Sequence, residues 1–171
     1  EDYQTIAKEL GIIRLSKEGE PLKYARHPLV YLVEAADDIC YQMMDIEDAF
    51  KLKIFSFEEA KALYQGFMSD KQRKRTDEIC CLVTDPNEQI AYLRATVIGI
   101  LVKECTRVFM ENEEPILVGT FEGSLIKHIA PLQKEAYQTC SKTAIERIYR
   151  SRDVLDIELA GFHVLITLLE W

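Results

Sequence analysis

The stretch Arg26-His-Pro-Leu-Val-Tyr-Leu-Val-Glu-Ala-Ala-Asp-Asp-Ile-Cys-Tyr-Gln-Met-Met-Asp-Ile-Glu-Asp48 decides the fold class of this chain. Pro28 suits the first turn of a helix, where its missing N–H costs nothing. Behind it, apolar residues recur every three or four positions, which is the period of an amphipathic helix. These positions are Leu29, Leu32/Val33, Ala36, Ile39/Cys40 and Met43. The pattern predicts one long helix over about 28–50.

The same stretch is strongly acidic from position 34 to position 48, with no Lys or Arg in between. Its carboxylates are Glu34, Asp37, Asp38, Asp45, Glu47 and Asp48. On a helix, Asp37, Tyr41 and Asp45 are each about one turn apart, so the three side chains share one face. A solubilising face normally mixes charges of both signs, because like charges at this spacing repel each other. An unpaired acidic line that contains one Tyr indicates a bound cation and a polar ligand.

Helical patterns continue along the rest of the chain, so the predicted fold class is all-α. Ser56 with Glu59 forms a capping-box pattern, and Asp85-Pro86 supplies an N-cap and a first-turn residue. Only seven Gly and five Pro occur, which argues against a sheet-and-turn architecture. We expect a single domain over residues 1–171 with helices at 2–10, 28–50, 57–67, 71–84, 86–112, 121–129, 132–149 and 155–170.

Composition excludes several classes of protein. The 171 residues are 48% apolar and 29% charged, as in an ordinary globular domain. A net charge of −8 argues against wholesale binding to nucleic acid or an acidic membrane, although a metal or a few local cations can still hold an anionic substrate. The five Cys are odd in number and lack a CxxC spacing, which favours reduced thiols and a cytoplasmic protein. No membrane-spanning or signal segment is visible.

The motif residues also carry a family resemblance. The run Arg-His-Pro-Leu-x-Tyr-Leu-x-Glu-Ala-Ala-Asp-Asp-Ile-x-Tyr, followed by Asp-x-Glu-Asp-Ala, closely resembles the deoxyguanosine triphosphate triphosphohydrolases of the HD superfamily. The resemblance continues more weakly through Tyr-Leu-Arg-Ala at 92–95, the stretch 109–119 and the stretch 146–161. It covers most of the chain and implies the C-terminal portion of an HD-type helical bundle.

The resemblance implies that this chain is part of a longer enzyme. Family members take metal ligands from a His, a later His-Asp dipeptide and a distant Asp. Here His27, His128 and His163 are followed by Pro, Ile and Val, so no His-Asp pair occurs. The chain also starts at Glu1 directly in a helical pattern, which fits a fragment or a processed product. We therefore expect a C-terminal fragment that holds only the last ligand and is inactive alone, from a parent that forms a homo-oligomer.

The resemblance also implies roles for individual residues. The reaction would be hydrolysis of a dNTP, dGTP first, to deoxynucleoside and inorganic triphosphate. Asp37 would bind a divalent metal (Mg, Mn or a transition metal), which lowers the pKa of a water and polarises the α-phosphate. Tyr41 would border the sugar and phosphates, and Asp45 would accept a hydrogen bond from the 3′-hydroxyl. Asp38 and Arg94 are further candidates for substrate binding.

Several alternatives remain open from the residues themselves. Arg94 can reach triphosphate oxygens with its bidentate fork or extend to solvent. The basic run 71–75 is either a solvated face or a weak contact for phosphate or DNA. The whole chain can also be a non-catalytic helical interaction module, or part of an HD-type hydrolase of another phosphoester. The sequence upstream of Glu1 would separate the enzyme from the module.

Overall fold

Two long helices, α2 (Pro28–Lys51) and α5 (Pro86–Glu111), pack along each other and organise the fold. Each starts as predicted. His27 Nδ1 accepts a hydrogen bond from the Leu29 amide ahead of α2, and Asp85 accepts one from the Asn87 amide ahead of α5. A Pro follows each cap in the first turn, where no N–H partner is needed. The apolar stripes then meet in the core. The α5 stripe consists of Ile90, Leu93, Val97, Leu101, Cys105 and Val108.

The remaining helices are shorter and surround this pair. The computed structural model describes residues 2–170, except for the side chain of Asp153. The further helices are α1 (Asp2–Glu9), α3 (Phe57–Gln65), α4 (Asp70–Cys80), α6 (Glu113–Leu117), α7 (Pro131–Thr143) and α8 (Arg152–Leu169). Among the described residues the only strand-like pairing is an isolated bridge between Arg14 and Tyr24. The predicted all-α fold class is confirmed.

Local capping sets where α3 begins. The Ser56 side chain accepts a hydrogen bond from the Glu59 amide at 3.2 Å, and Glu59 Oε2 accepts one from the Ser56 amide at 2.8 Å. This reciprocal pair satisfies two N–H groups that a helix end otherwise leaves without a partner. The capping box predicted from the sequence is therefore present.

The helix predicted at 121–129 is wrong for most of its length. Only a 3-10 turn, Leu125–His128, forms there. Gly123 has φ +84°, a left-handed conformation that interrupts a right-handed helix. The Thr120 and Phe121 amides also bond back to the Pro115 carbonyl, which draws the chain away from a helical path. A tight, Gly-dependent loop therefore replaces the first turn of the predicted helix.

The helix predicted at 132–149 changes its winding near its end. After α7 the chain forms a π turn at Ala144–Ile148, and the Tyr149 amide bonds to the Ala144 carbonyl at 3.0 Å. Arg147 ties this turn to the segment before α3. Its guanidinium donates to the Ile54 carbonyl at 2.9 Å and lies 4.8 Å from the centre of the Phe55 ring. The position of Tyr149 therefore depends on both α7 and the α3 region.

α8 extends beyond this turn with a largely exposed apolar surface. Val154 packs against the core. Leu159, Phe162 and Leu165 are 60%, 62% and 63% exposed. None of the described helices is both long enough and apolar enough to cross a membrane.

The pair Glu59–Arg147 makes the stability of this region depend on pH. Arg147 donates to Glu59 at 2.5 Å, and together with the Ser56 bonds this holds the pKa of Glu59 at about 2, below its ordinary 4.5. A lowered pKa means that the stabilisation is complete above pH 4.5 and is lost as the pH falls towards 2. We expect Glu59→Gln to flatten the fall in melting temperature over this range.

The matched control for this prediction is Glu58→Gln, which removes the neighbouring exposed carboxylate and leaves the pair intact. Thermal melts of the three proteins between pH 2 and pH 7 make the comparison. An identical pH dependence in wild type and Glu59→Gln would show that the pair does not stabilise the fold.

Candidate functional site

The predicted acidic line lies on a face of α2 that the core leaves accessible. Asp37 and Tyr41 are exposed, and Asp45 is half-buried. Tyr41 exposes 62% of its surface. Because α2 continues without interruption from Pro28 to Lys51, the three residues sit on successive turns of one helix. Asp37 has no hydrogen bond or salt bridge with the rest of the described chain. Its carboxylate is therefore available to a ligand.

Asp38, next to Asp37, lies in a more enclosed acidic environment. It is half-buried, and its pKa is raised by burial first and then by the charges of Glu34 and Asp37. Lys127, from the 3-10 turn, acts in the opposite direction. Glu34 itself forms a salt bridge of 2.8 Å with Arg26. The Asp37 end of the line thus concentrates negative charge, with Lys127 and Arg26 as nearby cations.

Asp45, at the other end of the line, has a partner that the sequence did not indicate. Tyr149, directly after the π turn, donates its hydroxyl to Asp45 Oδ2. The Tyr149 ring also lies 6.5 Å from the Tyr41 ring, centre to centre. Burial raises the pKa of Asp45, while the bond from Tyr149 lowers it. Burial, Asp45 and Tyr41 together raise the pKa of Tyr149 above its ordinary range, so its hydroxyl stays a donor.

Arg94 lies on the other flank of α2 and is already paired. It donates to the buried carboxylate of Glu47, and also approaches the Met44 sulfur at 2.9 Å. Lys51 reaches the second oxygen of Glu47 at 3.0 Å. The guanidinium is thus held by Glu47 in this structure, and its predicted role towards phosphate stays a prediction. The sequence pattern assigns no role to Glu47, because nothing local indicates that it turns towards α5.

The donor set among the described residues does not form a complete metal centre. No group of three or more His, Cys, Asp or Glu in residues 2–170 is arranged to hold a metal. His27 caps α2, and His128 Nε2 lies 3.0 Å from the Glu122 carbonyl oxygen, so both have local structural partners. Asp37 can supply one carboxylate ligand, and its role as a metal ligand stays a prediction.

Two other features lie away from this face. The basic run 71–75 is on α4, where Lys71, Lys74 and Arg75 are exposed and Arg73 donates to the Gln65 carbonyl at 2.9 Å. A cavity of about 590 Å³ lies between α3 and α7, with apolar walls and the side chains of Arg73 and Arg147. None of the predicted site residues lines it. Neither feature contributes to the candidate site.

Comparison with curated proteins confirms the resemblance that the motif of α2 carries. The chain is 30% identical to a deoxyguanosinetriphosphate triphosphohydrolase-like protein of Pseudomonas aeruginosa over 97% of its own length, and 33% identical to one of Synechocystis over 98%. It is 32% identical to a deoxyguanosinetriphosphate triphosphohydrolase of Salmonella arizonae over 96%. These matches span only 36%, 36% and 35% of the relatives. No protein-family model matches the chain.

The pair Arg94–Glu47 provides a stability test that separates its structural role from any role in phosphate binding. We expect Arg94→Ala to lower the free energy of unfolding of the 171-residue chain by about 2 kcal/mol. Loss of one partner from a fully buried pair costs roughly 3–5 kcal/mol, and Lys51 still accompanies Glu47 here. Urea unfolding measures this change.

Arg107→Ala is the control, because Arg107 pairs with Glu104 and Glu111 on the exposed side of α5. An exposed network of this kind is worth less than about 1 kcal/mol. Equal losses of unfolding free energy in the two variants would show that the Arg94–Glu47 pair stabilises the fold no more than the exposed network does.

Proposed function

We propose that the protein to which this chain belongs hydrolyses a deoxynucleoside triphosphate, dGTP first, to the deoxynucleoside and inorganic triphosphate. The proposal is supported by the similarity to triphosphohydrolases along nearly the whole chain. The observation that carries it is the accessible face of α2, where the unpaired Asp37 carboxylate lies two turns from the Asp45–Tyr149 pair. One end of this face suits a cation at the phosphates, and the other suits a sugar hydroxyl.

Each residue of the face has a chemical task in this proposal. Asp37 contributes one carboxylate ligand to a divalent metal, which polarises the phosphate when it is bound. Tyr41, between the two acids, offers an exposed ring and hydroxyl to the sugar and phosphates. Asp45 accepts a hydrogen bond from the 3′-hydroxyl. Together they hold the substrate along α2, so that water attacks in a fixed orientation.

The charge of the face requires cations from elsewhere. A triphosphate is strongly anionic, and Asp37 and Asp38 add like charge beside it. A bound metal and Lys127 would offset this repulsion. Asp38, which is half-buried beside Asp37, would contact the metal or the substrate. Arg94 would reach phosphate only by leaving Glu47, or by using guanidinium nitrogens that the pair leaves open.

The assembly and location of the protein are part of the same proposal. We propose a homo-oligomer in the cytoplasm. The apolar surface of α8 would be covered by polypeptide outside residues 2–170 or by a second copy of the protein. A non-catalytic module derived from the same fold is the second candidate, because the described residues hold no complete metal donor set. The sequence encoded upstream of Glu1 separates the two. A His and a His-Asp pair there support the enzyme.

The ligand role of Asp37 can be tested in the full-length protein expressed from the gene that encodes this chain. We expect Asp37→Ala to abolish release of deoxyguanosine and triphosphate from dGTP. Its melting temperature without metal should be unchanged or higher, because the substitution relieves repulsion with Asp38. The control is Asp48→Ala, which removes an exposed acid of the same helix that lies 3.8 Å from Lys51. Wild-type turnover in Asp37→Ala would overturn the assignment.

The sugar-reading role of Asp45 has a separate test. A site built to bond a hydroxyl rejects an analogue that lacks it, because the site's own polar group is left without a partner. We expect 2′,3′-dideoxyguanosine triphosphate to have a kcat/KM roughly 10⁴-fold below that of dGTP. Asp45→Ala should shrink this ratio by slowing dGTP, while metal affinity stays near wild type. An undiminished ratio would mean that another residue reads the 3′-hydroxyl.

A further inference from the structure

Tyr149 has a hydrogen bond that neither the capping pattern nor the helical period explains. Its hydroxyl donates to Asp45 across 104 positions of sequence and takes one oxygen of that carboxylate, Oδ2. The other oxygen, Oδ1, has no hydrogen bond in the part of the chain that the structure describes. A carboxylate accepts through both oxygens, so Asp45 keeps one acceptor for a ligand.

The place of Tyr149 is fixed from several directions. Ala144 and Ile148 of the preceding π turn are buried in the core. The adjacent Arg147 is held by Glu59, by the Ile54 carbonyl and by its contact with the Phe55 ring. Wider turns of this kind inside helices occur frequently at functional sites. The hydroxyl therefore reaches Asp45 from a turn that is anchored in the core and to the segment before α3.

We propose that Tyr149 is a positioning residue for sugar recognition: its hydroxyl fixes one oxygen of Asp45, so that the other oxygen meets the 3′-hydroxyl of the deoxyribose. This rests on the proposed function, in which Asp45 reads that hydroxyl. A free Asp side chain rotates about its last bond and loses rotational freedom when the substrate binds. The bond from Tyr149 removes that freedom before binding, and the charged form of the acceptor makes the bond strong. The Tyr41 ring lies next to the Tyr149 ring at the Asp45 end of the face.

The test uses the full-length protein and compares dGTP with 2′,3′-dideoxyguanosine triphosphate. Tyr149→Phe removes the hydroxyl and keeps the ring that packs beside Tyr41. We expect its kcat/KM for dGTP to fall about fivefold to tenfold, with the analogue unchanged, so that the ratio between the two substrates shrinks by the same factor. A purely structural role would slow both nucleotides alike and leave the ratio in place.

Two further variants complete the experiment. Tyr31→Phe is the matched control, because the Tyr31 hydroxyl ties α2 to the Phe121 carbonyl at 3.1 Å and lies away from Asp45. It should leave the ratio at the wild-type value. In an Asp45→Ala background, Tyr149→Phe should change the ratio no further, because the hydroxyl acts through that carboxylate.

The outcomes separate this inference from the proposed function. An unchanged ratio in Tyr149→Phe, with a collapsed ratio in Asp45→Ala, overturns the role of Tyr149 and leaves Asp45 as the sugar-reading residue. A lower KM for dGTP in Tyr149→Phe also overturns it, because the phenol would then compete with the sugar for Asp45. An unchanged ratio in Asp45→Ala overturns the role of Asp45 and the inference with it. Absence of dGTP hydrolysis in the wild-type protein overturns the proposed function itself.

Discussion

Packing between α2 and α5 fixes the orientation of the helix that carries the candidate site. Both helices bury a continuous apolar stripe, with Ile39 and Met43 on one side and Val97 and Leu101 on the other almost fully removed from water. Burial of each such side chain is worth about 1.5–3 kcal/mol, so the rotation of α2 about its axis is firmly set. With that rotation fixed, the acidic line has to face outward. The candidate site is therefore a consequence of where the core lies.

Two polar pairs reinforce the same arrangement from opposite flanks of α2. On one flank Arg94 holds Glu47, and on the other Tyr149 holds Asp45. Each joins α2 to a different partner, α5 in the first case and the π turn in the second. Asp37 differs from both acids, because it has neither kind of partner in the described chain. A carboxylate that has no partner among the described residues, two to three turns before two paired ones on the same helix, is the feature on which the proposed ligand role rests.

The similarity to curated relatives covers only part of the length of those relatives. The chain covers about a third of the curated triphosphohydrolases that it resembles, and the similarity runs through nearly all of its own residues. Under the proposed function, this portion would offer one carboxylate ligand, Asp37, and one pair that reads the sugar, Asp45 with Tyr149. The proposal takes the remaining metal donors, and the cations that balance a triphosphate, from protein outside residues 2–170. The exposed apolar side chains of α8 are also of the kind that mark a contact surface for other protein segments.

Features that depend on short-range physics can be predicted from the sequence. Helical periodicity gave α2 and α5, and local caps gave the starts of α3 and α5 through Ser56 and Asp85. The spacing of Asp37, Tyr41 and Asp45 also required no tertiary information, because residues four apart on a helix share a face. The family motif lies in the same continuous stretch, so the resemblance depends on the sequence alone.

Features that depend on distant partners or on backbone conformation appear only in the folded chain. The left-handed Gly123 replaced a predicted helix with a loop, since apolar periodicity carries no information on the sign of φ. The π turn, and with it the bond from Tyr149 to Asp45, joins residues 104 positions apart, and the Arg94–Glu47 pair spans 47. Such pairs form only after packing brings the elements together, and an isolated Tyr or Glu in a helical pattern does not indicate which element it will meet.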